Sequence, residues 1–392
     1  MKYVLTIIGL ICLMACSSEE TTRTAETAGS ELRPVAFKEA YTVQPTRSSA
    51  KFTATAGIPV GQSMGVYAYL HNTETRNYSA DSPNFMWNQK ATRQEDTEPF
   101  TYEPLKYWPN DETNKLSFIA YFPYCNGAEN DGTDEDIAST GVTPQLTNSG
   151  TGLPTFDFTV KDAIGDQVDF LVSDVLPNMP QSRDTDDDPG LPFNDLTIHD
   201  RVPFLFKHMT AKVEFRIVAD PEIRKDIVSF RLNPVNLLIP EKPLGISNLY
   251  KSGRLTPTYD PSTGVTSFAW GNRATKQSYN FKTYEPQLLL PQTLGEDVQL
   301  SLDYDITFKS DGTTYHYEGS TPVADQEYTY HNAATLKLKE MKLTSTDLPL
   351  TEWEPNHHYI YTIRLRANRI DFTGQVVEWG EYVETEDIPI EE

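Results

Sequence analysis

Apolar residues recur along this chain in short alternating runs, and no stretch keeps the three-to-four residue spacing of an amphipathic helix over several turns. In the first run, residues 35–43, Val35, Phe37, Tyr41 and Val43 share one parity, interrupted only by Glu39. Ala36, Lys38, Ala40, Thr42 and Gln44 hold the other parity. A period of two puts one face of a strand in a core and the other toward water. Further strands are expected at 51–58, 64–70, 85–88, 100–108, 116–122, 156–160 and 169–173, separated by Pro, Gly and Asn/Asp clusters. Residues 204–218 read as one long strand ending in alternating Val213, Phe215 and Ile217. A second set is expected at 227–232, 237–239, 266–270, 287–290, 298–308, 313–318, 335–343, 359–365 and 370–379.

Many short strands joined by turns predict an all-β protein with one sandwich in each half. The turn at Ala219-Asp220-Pro221-Glu222 marks the expected boundary, giving β-sandwich domains at 35–218 and 219–392. Residues 126–152 and 180–194 are polar and Gly/Asp-rich, too long for hairpin turns, and are expected as surface insertions. Composition agrees with the strand pattern: Tyr 21, Phe 18 and Trp 5 are plentiful, and Pro 27 exceeds Gly 21. With 33 Lys+Arg against 56 Asp+Glu, the net charge of −23 argues against nucleic acid as a partner, because a phosphate-binding face needs clustered positive charge.

The amino terminus bears on compartment. An apolar stretch from Val4 to Ala15 follows Met1-Lys2-Tyr3, the length of a signal-peptide core and too short for a lasting membrane span. Leu13-Met14-Ala15-Cys16 resembles a bacterial lipobox, so residues 1–15 are expected to be removed and Cys16 to be acylated, anchoring a tether at 16–34. Ser17-Ser18-Glu19-Glu20 resembles a surface-export signal of lipoproteins, with a plain solvated tether as the other reading. Cys12 leaves with the signal, so Cys125 is the one thiol left unmodified and no intramolecular disulfide is expected.

Candidate chemistry is sparse. The seven His show no metal-ligand spacing, and His357-His358 are adjacent before a strand, where successive side chains point apart. Asp184-Thr185-Asp186-Asp187-Asp188-Pro189-Gly190 has calcium-like alternation, but Pro189 stands where the loop needs Gly, and Asp195 replaces the closing Glu. It reads as a weak calcium site or a solvated acidic loop, and residues 129–136 read the same way. No nucleophile elbow, phosphate loop or Cys/His pair is present, so neither an enzyme nor a cofactor or metal is expected. Exposed aromatics stacking on sugars make a surface glycan-binding lipoprotein the alternative function, with Trp87, Trp108, Trp270, Trp353 and Trp379 to draw on.

Arg47 carries a sharper expectation. A strand at the start of a sandwich is released by a single cut in the loop after it, and Gln44-Pro45-Thr46-Arg47-Ser48-Ser49-Ala50 offers a trypsin-like protease an Arg followed by small residues. Arg33 is blocked by Pro34, and Arg23 precedes any strand. The other reading of Arg47 is a plain surface arginine.

These residues together resemble the fimbrillin superfamily, the subunits of type V pili in Bacteroidales, and within it the fimbrillin-like lipoproteins. The resemblance runs in order from the lipobox through Val35-Ala36-Phe37 and Thr46-Arg47 to Gly65-Val66-Tyr67-Ala68-Tyr69. It continues through Tyr107-Trp108-Pro109, Phe118-Ile119-Ala120-Tyr121-Phe122-Pro123, Asp169-Phe170-Leu171-Val172-Ser173 and Phe206-Lys207-His208-Met209-Thr210-Ala211-Lys212-Val213. Trp353-Glu354-Pro355-Asn356, Tyr359-Ile360-Tyr361 and Val377-Glu378-Trp379 complete it. It implies two tandem transthyretin-like sandwiches, outer-membrane and cell-surface placement, maturation by an Arg-specific protease between Arg47 and Ser48, and strand exchange with other pilus subunits in a fimbrium. The donor strand it implies is the carboxyl terminus, through Val376, Val377, Trp379, Val383, Ile388 and Ile390. Val377, Trp379 and Val383 share one parity and Ile388 and Ile390 the other, so one uninterrupted strand does not bury both sets. An uncut membrane anchor remains the alternative role within that family.

Overall fold

The computed structural model describes residues 34–41, 58–72, 78, 81–95, 99–111, 113–126, 140–145, 150–179, 201–233, 244–366 and 370–379. Strands in the first part are β1 (Ala36–Tyr41), β2 (Ser63–His71), β3 (Met86–Thr92), β4 (Lys115–Phe122), β5 (Val142–Gln145), β6 (Thr155–Thr159) and β7 (Leu171–Ser173). There follow β8 (Leu176–Met179), β9 (Arg201–His208), β10 (Ala211–Ala219), β11 (Ile227–Asn233), β12 (Leu244–Asp260), β13 (Val265–Phe281) and β14 (Gln287–Leu289). The last are β15 (Gln292–Thr293), β16 (Gln299–Lys309), β17 (Glu327–Lys337), β18 (Lys342–Leu343), β19 (Glu352–Trp353), β20 (His357–Leu365) and β21 (Ile370–Glu378). The protein is all-β, as its alternating pattern predicts.

The first sheet is ordered β1-β9-β7-β4-β2-β3, with β8 also on β4. Its central strands are buried on both faces, which is why β2 and β4 read as continuous apolar runs. Val66, Ala68, Phe118 and Ala120 enter one core with Val35, Phe37, Tyr102 and Trp108. Tyr67, Tyr69, Ile119 and Tyr121 enter a larger core with strands of the second half. Gly65 lies opposite Tyr121, and a Cβ there would stand 2.1 Å from that ring, so only glycine lets the tyrosine lie across β2.

A second sheet is ordered β14-β10-β20-β21-β18 and a third β11-β16-β12-β6-β5, with β13 on β12 and β17 on β16. Two sequence expectations are corrected here. The single strand expected at 204–218 is two strands: Met209 and Thr210 interrupt it, where the Met209 N–H donates to Phe170 O at 2.8 Å and Thr210 O accepts from Asn356 N at 3.1 Å. β9 stays in the first sheet and β10 enters the second, so the sheets do not part at Ala219. β5 and β6 also cross the expected division: Phe156 to Thr159 pair with β12. The expected boundary turn is a one-turn helix, Pro221–Arg224, capped where Asp220 Oδ1 accepts from Glu222 N at 3.0 Å.

Other differences have local causes. The pattern predicts no strand over 244–260, yet β12 and β13 form a hairpin of two 17-residue strands. The register shift at Ile246/Leu249 flips the parity within β12 and hides its period, while that at Ser252/Arg254 puts its extra residue in β13. Residues 100–108 form no strand, only bridges at Thr101 and Tyr107. Residues 313–318 are a loop, where Asp311 Oδ1 accepts from the N–H groups of Thr313 and Thr314 at 2.7 and 2.8 Å.

In the larger core, the Trp353 Nε1–H donates to the Tyr361 hydroxyl at 2.9 Å, and both side chains are fully buried. Tyr361→Phe keeps the shape but orphans the indole N–H, so stability is expected to fall by about 1–3 kcal/mol. Tyr317→Phe, at an exposed ring, is the control. Chemical denaturation that finds the two variants equally stable would show that the bond contributes nothing.

Candidate functional site

β1 occupies an edge slot. Ala36 to Tyr41 run parallel to Arg201 to Phe206 of β9, one residue opposite one. On the other side the Val35 N–H donates to Lys106 O at 2.9 Å, the Tyr102 hydroxyl donates to Val35 O at 2.7 Å, and Pro34 bridges Tyr107. Val35 and Phe37 point inward and are each 1% exposed. The Phe37 ring sits among three others, with centroids 5.2 Å from Tyr102, 5.6 Å from Phe204 and 6.2 Å from Phe118. Burying each of these two side chains contributes about 1.5–3 kcal/mol. Burial pushes the Tyr102 phenol up to about 12, so it stays a neutral donor to the β1 backbone. The sequence marks β1 by its alternation, but nothing local marks Tyr102 or Lys106 as its second wall.

The expected cleavage site, Arg47 and Ser48, lies outside the described residues, as do Cys16 and the donor residues Val383, Ile388 and Ile390. The other three donor residues are placed. Val376 and Val377 belong to β21, which pairs along its whole length with β20 and at Thr373 and Gly374 with β18. Trp379 is 4% exposed, and its ring stacks on His208 of β9 at 4.1 Å and 13°. These three residues are committed to the chain's own fold, because their backbone or ring surface is already covered. His208 also pairs through Nδ1 with Asp169 Oδ1 at 2.8 Å, an arrangement with no local signal in the sequence.

Among the described residues no three His, Cys, Asp or Glu side chains are grouped to hold a metal, and no helix is long and apolar enough to cross a membrane. The acidic loops at 129–136 and 184–195 lie outside the described residues. Trp108, Trp353 and Trp379 are buried, and Trp270 donates its Nε1–H to Met209 O at 2.9 Å. Trp87, 44% exposed on β3, is the one tryptophan with a broad open face for the sugar-stacking alternative.

The Fimbrillin-like family profile matches residues 46–379. The chain belongs to the fimbrillin-like family. A curated relative, fimbrium subunit Fim1C of Phocaeicola vulgatus, is 30% identical over 168 residues, which are 41% of this chain and 38% of that protein. The matched stretch thus spans well under half of that relative's length. A crystal structure of a fimbrial protein from Bacteroides vulgatus aligns over 88% of this chain and 99% of its own, with a TM-score of 0.52 at 18% identity, a likeness of fold.

This fimbrillin-like chain also buries charge. On β10 and β20, Lys212, Glu214, Arg216 and His358 share one sheet face and are each under a tenth exposed. Burial alone would raise the Glu214 carboxyl, but contacts from His358 Nε2 at 3.1 Å and Arg216 Nε at 2.7 Å outweigh it and hold it at about 2. His358 is pushed below its usual value by burial, with Glu214 opposing, and its neighbour His357 is turned to Pro355 O instead. A histidine that takes up a proton less readily when folded loses stability as pH falls below its unfolded value of about 6.5. The melting temperature is therefore expected to drop from pH 7 to pH 5, and His358→Gln is expected to flatten that slope. Parallel slopes in the two proteins would exclude His358 as its source.

Proposed function

We propose that the chain is a subunit of a cell-surface fimbrium, exported as a lipoprotein through Cys16 and assembled by strand exchange after cleavage between Arg47 and Ser48. The supporting observation is the place of β1. It is a sheet-edge strand that contributes Val35 and Phe37 to a core and is followed directly by the segment carrying Arg47. Its loss uncovers an apolar slot with unpaired backbone groups, and a strand from another subunit satisfies both. An Arg-specific protease makes the cut, and other pilus subunits and the outer membrane are the partners.

The donor is the segment after Trp379. Val376, Val377 and Trp379 serve as its root, and Val383, Ile388 and Ile390 supply the apolar side chains that enter the partner's slot. The acidic residues of this tail keep it in water until it docks.

Exchange is tested by cutting the full chain with trypsin and running it unheated on a denaturing gel. Cleavage after Arg47 is expected, followed by high-mass ladders that collapse on heating. Val383→Asp, and separately deletion of residues 385–392, is expected to abolish the ladders with monomer melting nearly unchanged, because a carboxylate in an apolar slot costs on the order of several kcal/mol. Ladders that persist in both variants would remove the tail as donor. Anchoring is tested apart from this: palmitate labelling is expected in the wild type and absent in Cys16→Ala, and labelling that survives would remove the lipoprotein assignment.

A further inference from the structure

β17 is an outer strand of the third sheet, on the far side of β16 from β11 and β12. It pairs with β16 from Glu327 to Lys337 without a register shift, and among the described residues no other strand pairs with it. The chain on either side of it, from 244 to 366, is described in full. Other edges of this sheet carry features that discourage a neighbouring strand. β13 has Gly271 and left-handed Asn272 and Thr275, and β5 is four residues long and includes Pro144. β17 has neither glycine nor proline.

Bonds just beyond its ends fix which way its backbone points. In the register of the ladder, the Ser310 N–H donates to Gln326 O at 2.9 Å before β17, and the Leu338 N–H donates to Val298 O at 3.1 Å after it. Positions of that parity bond β16, so Glu327, Thr329, His331, Ala333, Thr335 and Lys337 turn their N–H and C=O groups to the open edge. All of these but Lys337 are exposed. The other parity packs on the larger core, yet Tyr330, Ala334 and Leu336 stay only half buried there. A row of backbone donors and acceptors thus borders an incompletely covered apolar strip.

The strand is also complementary to its own reverse. Antiparallel pairing centred on Asn332 sets Glu327 opposite Lys337, Thr329 opposite Thr335, Tyr330 opposite Ala334 and His331 opposite Ala333. Opposite charges meet at both ends, and in the middle each ring faces a methyl group. Both rings are already held within their own chain, His331 Nδ1 by Asp305 Oδ1 and the Tyr330 hydroxyl by His316 O, each at 2.8 Å. In this register the outward backbone groups of one strand face those of the other. We propose that β17 is an association edge at which two copies of this chain pair antiparallel about a two-fold axis, joining their third sheets into one. The axis closes the assembly, because each copy's edge is used up by the other. Backbone bonds supply the affinity, and Tyr330, Ala334 and Leu336 complete their apolar cover across the axis. Neither β1 nor the segment carrying Arg47 takes part, so this pairing stands or falls apart from strand exchange.

Sedimentation and hydrogen exchange of the full chain, without protease, test this. A concentration-dependent dimer is expected. Its formation is expected to slow exchange at Thr329, His331, Ala333 and Thr335 about tenfold or more, while Tyr328 and Tyr330, bonded to β16, change little. Ala333→Pro removes an outward N–H without touching the β16 ladder, and is expected to weaken the dimer about 100-fold with monomer melting nearly unchanged. Asn332→Cys is expected to give a disulfide-linked dimer on oxidation, because that residue meets its own copy at a closely spaced pair. Thr335→Cys, which lies opposite Thr329, is not, and the wild type gives the background from the native cysteines. A chain that stays monomeric at about 100 µM overturns the proposal. So does a dimer that keeps its affinity in Ala333→Pro, or whose protected amides lie elsewhere, since either places the interface on another surface. Cross-linking through Thr335→Cys and not Asn332→Cys overturns the two-fold register. If Ala333→Pro does not fold, the exchange pattern and the cysteine pair decide.

Discussion

An unpaired backbone inside a protein is costly, and the first sheet meets that cost at β9 with the six residues of β1. β1 pairs with β9, is itself held by Tyr102 and Lys106, and delivers two side chains to a core shared with β2, β3, β4, β7, β9 and the 100–108 segment. That division of labour makes β1 separable in principle. The central strands β2 and β4 pair with each other over seven positions and keep their side chains in both cores, and β4 meets β1 where Phe118 stands edge-on to the Phe37 ring. β9 pairs with β1 residue for residue from Arg201 to Phe206, and Phe204 packs on Phe37 as well as on Phe118 and Phe206.

The change of sheet at Met209 and Thr210 ties the edge to the rest of the molecule. β9 and β10 are consecutive, and the short link between them is gripped from both sides, by Phe170 just before β7 and Asn356 just before β20. Trp270 adds a third hold on Met209 from β13. β6 reaches the other way to pair with β12, and β5 pairs with β6. The halves are thus interleaved around the larger core, which takes residues from all three large sheets.

Strand positions were legible wherever one parity faced a core without interruption, as in β16. Where both faces are buried, as in β2 and β4, the continuous apolar run still reads as a strand because its length is right and glycine or proline bounds it. The reading failed where parity slips. β12 keeps one parity through Ile246 and the other from Leu249 to Pro257, and Asn248 at a φ of 63° marks the slip between them. It failed again at 204–218, where period two runs on through a change of sheet, because alternation reports which side chains are buried and not which strand lies alongside. The slot was half legible for the same reason: Val35 and Phe37 announce a buried face, while Tyr102, Lys106 and the His208–Trp379 stack are long-range contacts with no sequence spacing to betray them.

The carboxyl terminus illustrates how structure divides a run that sequence treats as one. From Val376 to Ile390 apolar residues continue in strand-like steps, yet their parity reverses between Val383 and Ile388. β21 resolves part of that conflict by using Val376 and Val377 in its own sheet, and the Trp379 ring closes the strand against His208. A tail that begins at such a clamp starts from a fixed point beside β9, two residues beyond the last β1 partner, Phe206. The slot and the root of the proposed donor therefore share one strand.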